Sequence, residues 1–247
     1  IRSMARMHWL GLFGLVLLGW ALLFAMAIPS DLRDLETVYG ADFIAALCGV
    51  TPGVAGLWLG IAMWMLMSGA MMLPTALPAF ATYDDLGHAT ETGFWPLVGG
   101  YMTVWIGFSV LAGLLQAALL APGLFGARGQ RLPTFFPAAR LAGAGAYQFS
   151  PLKEACLARC RAPLSFFVQH WDEGPWRNGL RLGLDCLGCC WALMLLAFVG
   201  GTMNLAFMGL AMLVMALEKL PDIGRLLTRP LGALLLLAAA LCLATGF

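Results

Sequence analysis

The sequence predicts an all-α protein, a polytopic bundle of about seven transmembrane helices forming one integral membrane domain over residues 1–247. Three observations predict it. Of the residues, 61% are hydrophobic and only 11% are charged, where a soluble domain carries about 25% charged residues. So few charges cannot build a solvated shell, so most of the surface calls for lipid as its solvent. Apolar stretches near the length that crosses a bilayer, about 20 residues, recur along the chain, and prolines punctuate them.

The expected spans are 9–28, 54–80, 95–121, 134–149, 180–200, 203–217 and 231–245. Arg2 and Arg6, with Ala25-Met26-Ala27 behind the first span, have the look of a signal peptide. The apolar run exceeds the roughly 7–15 residues of a signal core, so the segment is expected to stay as a helix. The second span holds Pro74 and Pro78 near its end. The fourth is short and glycine-rich and carries Arg140. Pro52, Pro96, Pro133, Pro221 and Pro230 are expected at or beside boundaries, where they interrupt no helical hydrogen bond.

Loop charge sets the orientation. The segment 29–53 has Asp31, Asp34, Glu36 and Asp42 against Arg33 alone, and reads as outside. The segments 150–178 (Lys153, Arg159, Arg161, Arg177) and 218–230 (Lys219, Arg225, Arg229) read as inside. Seven spans with a cytoplasmic N-terminus place the C-terminus outside, in a multi-pass protein of the cell inner membrane. The acidic segment 82–94 and the pair Arg128 and Arg131 fit this scheme less well. A net charge of +1 argues against nucleic acid as a partner.

Five of the seven cysteines fall in two tight groups. Cys156 and Cys160 stand four apart, and Cys186, Cys189 and Cys190 follow the i, i+3, i+4 pattern, so each group lies on one helical face. Pro163 is expected to end the first helix. The second group is expected in the first turns of its span, with Asp185 beside it, as an oxygen ligand or favouring the positive helix end. The chain between the groups can fold back, bringing four or five thiols together. Soft thiolates at that density suit Cu(I), Zn(II) or an iron–sulfur cluster. The neighbouring bases Lys153, Arg159 and Arg161 are expected to lower thiol pKa values. The alternative is that these cysteines are small apolar packing residues, the better reading for Cys48 and Cys242.

Met63, Met67 and Met71 form a stripe on the second span, with Met72 beside it, and Met203, Met208, Met212 and Met215 lie in the sixth. Met194 lies one turn beyond Cys190. Thioethers are neutral ligands for Cu(I), although methionine also fills gaps in helix packing. The candidate metal ligands are therefore Cys156, Cys160, Cys186, Cys189, Cys190, Met67, Met71, Met72 and Met203. Asn204, Gln116 and Arg140 are polar groups within spans, where an interhelical partner or a cavity is expected. His8, His88 and His170 read as interfacial. There is no phosphate loop, nucleophile elbow or HExxH motif, so no enzyme is expected.

Three segments carry a family resemblance: Trp64 to Pro74; Tyr147 to Lys153 with Cys156, Cys160, Arg161 and Pro163; and Gly188 to Met194 followed by Gly201 to Asn204. In order and spacing the chain resembles a prokaryotic family of predicted metal-binding integral membrane proteins. The resemblance implies a role in metal supply at the bacterial inner membrane. The leading expectation is a membrane protein that binds, delivers or transports Cu(I). Membrane lipids, other membrane subunits or a small soluble metal carrier would be its partners. A structural subunit of a larger membrane complex, and a membrane thiol oxidoreductase, are the alternatives.

Overall fold

The computed structural model describes residues 7–27, 54–87, 93–120, 135–196 and 204–245. Among these residues there are nine α-helices and no strand. They are α1 (Met7–Ala27), α2 (Val54–Leu86), α3 (Phe94–Leu120), α4 (Phe135–Tyr147), α5 (Pro151–Arg161), α6 (Pro163–His170), α7 (Pro175–Leu195), α8 (Leu205–Glu218) and α9 (Ile223–Thr245). A 3-10 turn, Trp171–Glu173, joins α6 to α7.

Helices α1, α2, α3 and α9 are long and apolar enough to cross a membrane. Length and composition thus mark four of the seven expected spans. Helix α8 is apolar but has 14 residues, and α4 has 13. At 1.5 Å per residue each is about 20 Å long, short of a hydrocarbon core of about 30 Å.

Three boundaries are corrected. The segment 150–178 is not a loop: it forms α5, α6, the 3-10 turn and the start of α7. Helix α5 is well specified locally. The Ser150 side chain caps it by accepting from the Leu152 N–H, Pro151 fills its first position, and Glu154 and Arg159 complement its dipole. Helix α7 starts at Pro175 instead of residue 180 and ends at Leu195. It follows Gly174, whose φ of 81° only glycine adopts freely. Helix α9 starts at Ile223, so Pro230 lies inside it and not at its boundary.

Helix α3 is the central post. It packs against α7 and α2, while α5 lies on α7, α1 on α2 and α9 on α4. The α3–α7 contact is made by backbone. A Cβ on Gly179 would collide with the Leu97 carbonyl oxygen, and one on Gly100 with the Trp176 carbonyl oxygen. Large aromatic side chains, among them Trp64, Trp105, Tyr101 and Phe80, fill the space between the helices. Leucines face outward instead, such as Leu10, Leu17 and Leu18 on α1 and Leu234, Leu237 and Leu241 on α9.

Polar groups in this interior are tied to specific partners. Trp64 Nε1 donates to Gln116 Oε1 at 2.6 Å, giving Gln116 its expected interhelical partner. Pro74 has no N–H to offer the Ala70 carbonyl one turn back, and the Trp20 indole of α1 donates to that oxygen at 3.1 Å. Lys153 on α5 and Glu218 at the end of α8 form an ion pair at 2.8 Å, each 1% exposed. Removing one member strands a buried charge, at a cost of about 3–5 kcal/mol. Lys153→Met is therefore expected to lower the midpoint of thermal unfolding in detergent by about 10 °C, at about 2–4 °C per kcal/mol. The double variant Lys153→Met/Glu218→Leu should recover most of that loss. A single variant as stable as the parent would refute this role for the pair.

Candidate metal centre

Cys186, Cys189 and Cys190 lie eleven to fifteen residues beyond Pro175, about 16–22 Å along α7. They therefore sit at mid-helix, not in its first turns. Their three Sγ atoms all lie within 4.8 Å of one another, and each residue is 1% exposed. The Cys189 and Cys190 sulfurs are 3.2 Å apart. Cys189 Sγ donates to the Cys186 carbonyl at 3.1 Å, which points this thiol back along the helix.

The first cysteine group contributes unequally. Helix α5 ends before Pro163, as expected, and carries Cys156 and Cys160. Cys160 lines the same cavity as Cys186 and so stands at the edge of the cluster. Cys156 abuts the backbone of Gly188, where an added Cβ would stand 2.5 Å from its sulfur. The expected convergence of four or five thiols is thus a core of three, with Cys160 alongside and Cys156 apart.

The bases expected to activate the thiols are spent elsewhere. Lys153 binds Glu218. Arg161 Nε donates to the Glu218 carbonyl at 2.9 Å. Arg159 Nη1 meets Asp185 Oδ1 at 2.8 Å, so Asp185 is an ion-pair partner within α7 and not a helix-end residue. Burial pushes the Cys156 thiol up from its ordinary value, and the Asp185 carboxylate adds to this. Arg159 offsets only part of it. For Cys156 the expected lowering is corrected.

The cation that does reach the cluster is Lys219, in the turn after α8. Its Nζ lies 3.0 Å from Cys186 Sγ and 2.6 Å from Thr75 Oγ1. Thr75 in turn donates to the Met72 carbonyl at 3.0 Å. The Tyr101 hydroxyl is 3.1 Å from Cys186 Sγ and donates to the same Met72 carbonyl at 3.0 Å. Cys186 is therefore held by α2, α3 and the end of α8 together. A cavity of about 300 Å³ opens onto it, lined by Pro74, Thr75, Tyr101, Cys160, Cys186 and Lys219 among others. Hydrophobicity and spacing give no signal for Tyr101, Thr75 or Lys219. Lys219 was visible only as an orienting charge.

The candidate methionines divide. Met72 is buried within α2, with its sulfur 3.9 Å from Thr75 Oγ1. Met67 and Met71 point to a second, smaller cavity with Met194 and Met208. Met203, Cys48 and His88 lie outside the described residues. Asn204 caps α8 by accepting from the Phe207 N–H at 3.0 Å, a bond within its own helix. His8 meets Asp84 at 3.3 Å and His170 bonds the Phe166 carbonyl at 2.9 Å. Both lie away from the thiols.

Three buried thiols beside a buried ammonium form a soft-metal donor set. Among known proteins, the profile of the PpoB2 copper chaperone family matches residues 61–242, a stretch that contains every thiol of this centre. The chain belongs to this copper chaperone family. The expectation of a metal-binding family is met at that level, and the family points to copper while lending zinc no support. Helix α1 precedes the matched stretch. No curated protein and no solved structure shows significant similarity to the chain.

Proposed function

We propose that this protein is an integral membrane copper carrier that binds Cu(I) at Cys186, Cys189 and Cys190 and passes it on, with Cys160 as an accessory thiol. The carrying observation is the three-thiol cluster, whose sulfurs all lie within 4.8 Å in a buried site. Cu(I) is a soft, monovalent cation that accepts few sulfur ligands. Lys219 Nζ, 3.0 Å from Cys186 Sγ, offsets the negative charge that several thiolates bring. The copper is cargo, and no reaction beyond ligand exchange is assigned. The chain is read as a carrier and not as an enzyme.

In this reading α1, α2, α3 and α9 cross the bilayer, α7 crosses with them, and the shorter α4 and α8 complete seven spans where the bilayer thins to match them. The basic residues of α5 and of the α8–α9 turn face the cytoplasm. Lipid surrounds the leucine-rich outer faces, and a small soluble metal carrier is the partner that meets the thiol cavity. The test compares purified, reduced protein with a variant in which Cys186, Cys189 and Cys190 are all serine. Copper bound after anaerobic loading is measured by mass spectrometry. The expected result is loss of thiolate-bound copper, seen as loss of the ultraviolet sulfur-to-copper absorption. Equal thiolate absorption in both proteins, or none in either, would refute the assignment.

A further inference from the structure

Four methionines from three helices surround one small hole. Met67 and Met71 come from α2, Met194 from α7 and Met208 from α8, and Leu193 and Phe207 help close the cavity. All four methionines are buried, between 1% and 3% exposed. The hole measures about 10 Å³, about the room of a single water-sized sphere. No charged side chain lines it. Methionine used as packing bends into gaps and closes them. Here four methionines line a gap that stays open.

We infer that Met67, Met71, Met194 and Met208 form a second Cu(I) site, separate from the thiols and one helical turn from them. The inference rests on the copper reading above. Three helices connect the two sites. Met194 follows Cys190 by four residues on α7, about 6 Å along the axis. Met71 precedes Thr75 by four on α2, and α8 carries Met208 in its first turn and ends just before Lys219. In the proposed orientation the thioether site lies on the outer side of the thiol site. Thioethers stay neutral and release no proton on binding. A monovalent soft cation therefore enters this apolar hole with its single positive charge unchanged, where a divalent ion would bring twice the charge. Neither site requires a change of oxidation state.

The experiment uses the full chain, produced with selenomethionine, reduced and loaded anaerobically with Cu(I). Bound copper is counted by mass spectrometry, and copper–selenium scattering is read by X-ray absorption at the selenium edge. The parent is expected to hold about two Cu(I) per chain, one per soft-ligand set. Met71→Leu/Met208→Leu, a volume-conserving change that cores tolerate well, should hold half as much and keep its thiolate absorption. The variant with all three cluster cysteines changed to serine should also hold half as much, and should keep the copper–selenium signal. Full copper content in the methionine variant, or no copper–selenium signal in the serine variant, would overturn the thioether site and leave the thiol centre standing. Absence of thiolate absorption from a parent that keeps the copper–selenium signal would overturn the thiol centre alone.

Discussion

Lys219→Met is expected to weaken Cu(I) binding at the thiols by about a hundredfold. The ammonium stands 3.0 Å from Cys186 Sγ and is 9% exposed, so solvent screens it little. Unit charges about 4 Å apart interact by about 4 kcal/mol at an effective dielectric of 20, or nearly a thousandfold in affinity. The variant also relieves the cost of burying the ammonium itself, so the net effect is smaller. Cu(I) with two or three thiolates is an anionic group, and removing the cation leaves that charge uncompensated inside the bundle. Lys219→Arg, which keeps the charge with a different shape, should lose far less. Competition with a colorimetric Cu(I) chelator reads both constants. If Lys219→Met binds as tightly as the parent or more tightly, the lysine is a plug that metal must displace and not a counter-ion.

Gly179→Leu is expected to disrupt the fold and the metal centre together. The α3 and α7 backbones touch at this point, and a single Cβ on Gly179 would already meet the Leu97 carbonyl oxygen. Overpacked side chains usually cost about 1–3 kcal/mol because neighbours rearrange, but here the obstacle is backbone, which has no rotamer to change. The helices must separate, and Tyr101 moves away from Cys186, which it now meets at 3.1 Å. The unfolding midpoint should fall by about 6–12 °C or more for about 3 kcal/mol, with copper binding weakened in parallel. Gly143→Ala is the control. A Cβ there meets nothing within 4 Å, and alanine should favour helix α4 by about 0.5–1 kcal/mol. A Gly179→Leu variant with parental stability would disprove the close packing of α3 on α7.

The apolar helices were legible because hydrophobicity reports them directly. Helix α3 begins at Phe94, one residue from its expected start. Amphipathic helices were harder. Arg177, counted among the basic loop residues, made the beginning of α7 read as loop, which also put the cysteines in the wrong part of the helix. The i, i+3, i+4 spacing did place three thiols on one face, because that is a property of the helix alone. Which base would reach them was not legible. Lys153, ten residues or fewer from two cysteines, turns to Glu218, while Lys219 arrives from the far end of another helix. That choice is made by tertiary packing. The methionine stripe on α2 was visible, but the cavity that Met67 and Met71 line is completed by Met194 of α7 and Met208 of α8, which only tertiary packing brings there.

The two prolines of α2 have a mechanical consequence. Pro74 and Pro78 remove two rungs, about one turn apart, from the hydrogen-bond ladder of a 33-residue helix. Helices bend most readily at such gaps. Both prolines also line the cavity that opens onto Cys186. The length of α2 that most readily bends is therefore a wall of the cavity at the thiols. Below that point the Trp20 indole braces the freed Ala70 carbonyl at 3.1 Å. The Trp9 indole of α1 holds the other end as well, donating to Asp84 at 2.9 Å, so α1 pins α2 on both sides of the proline pair.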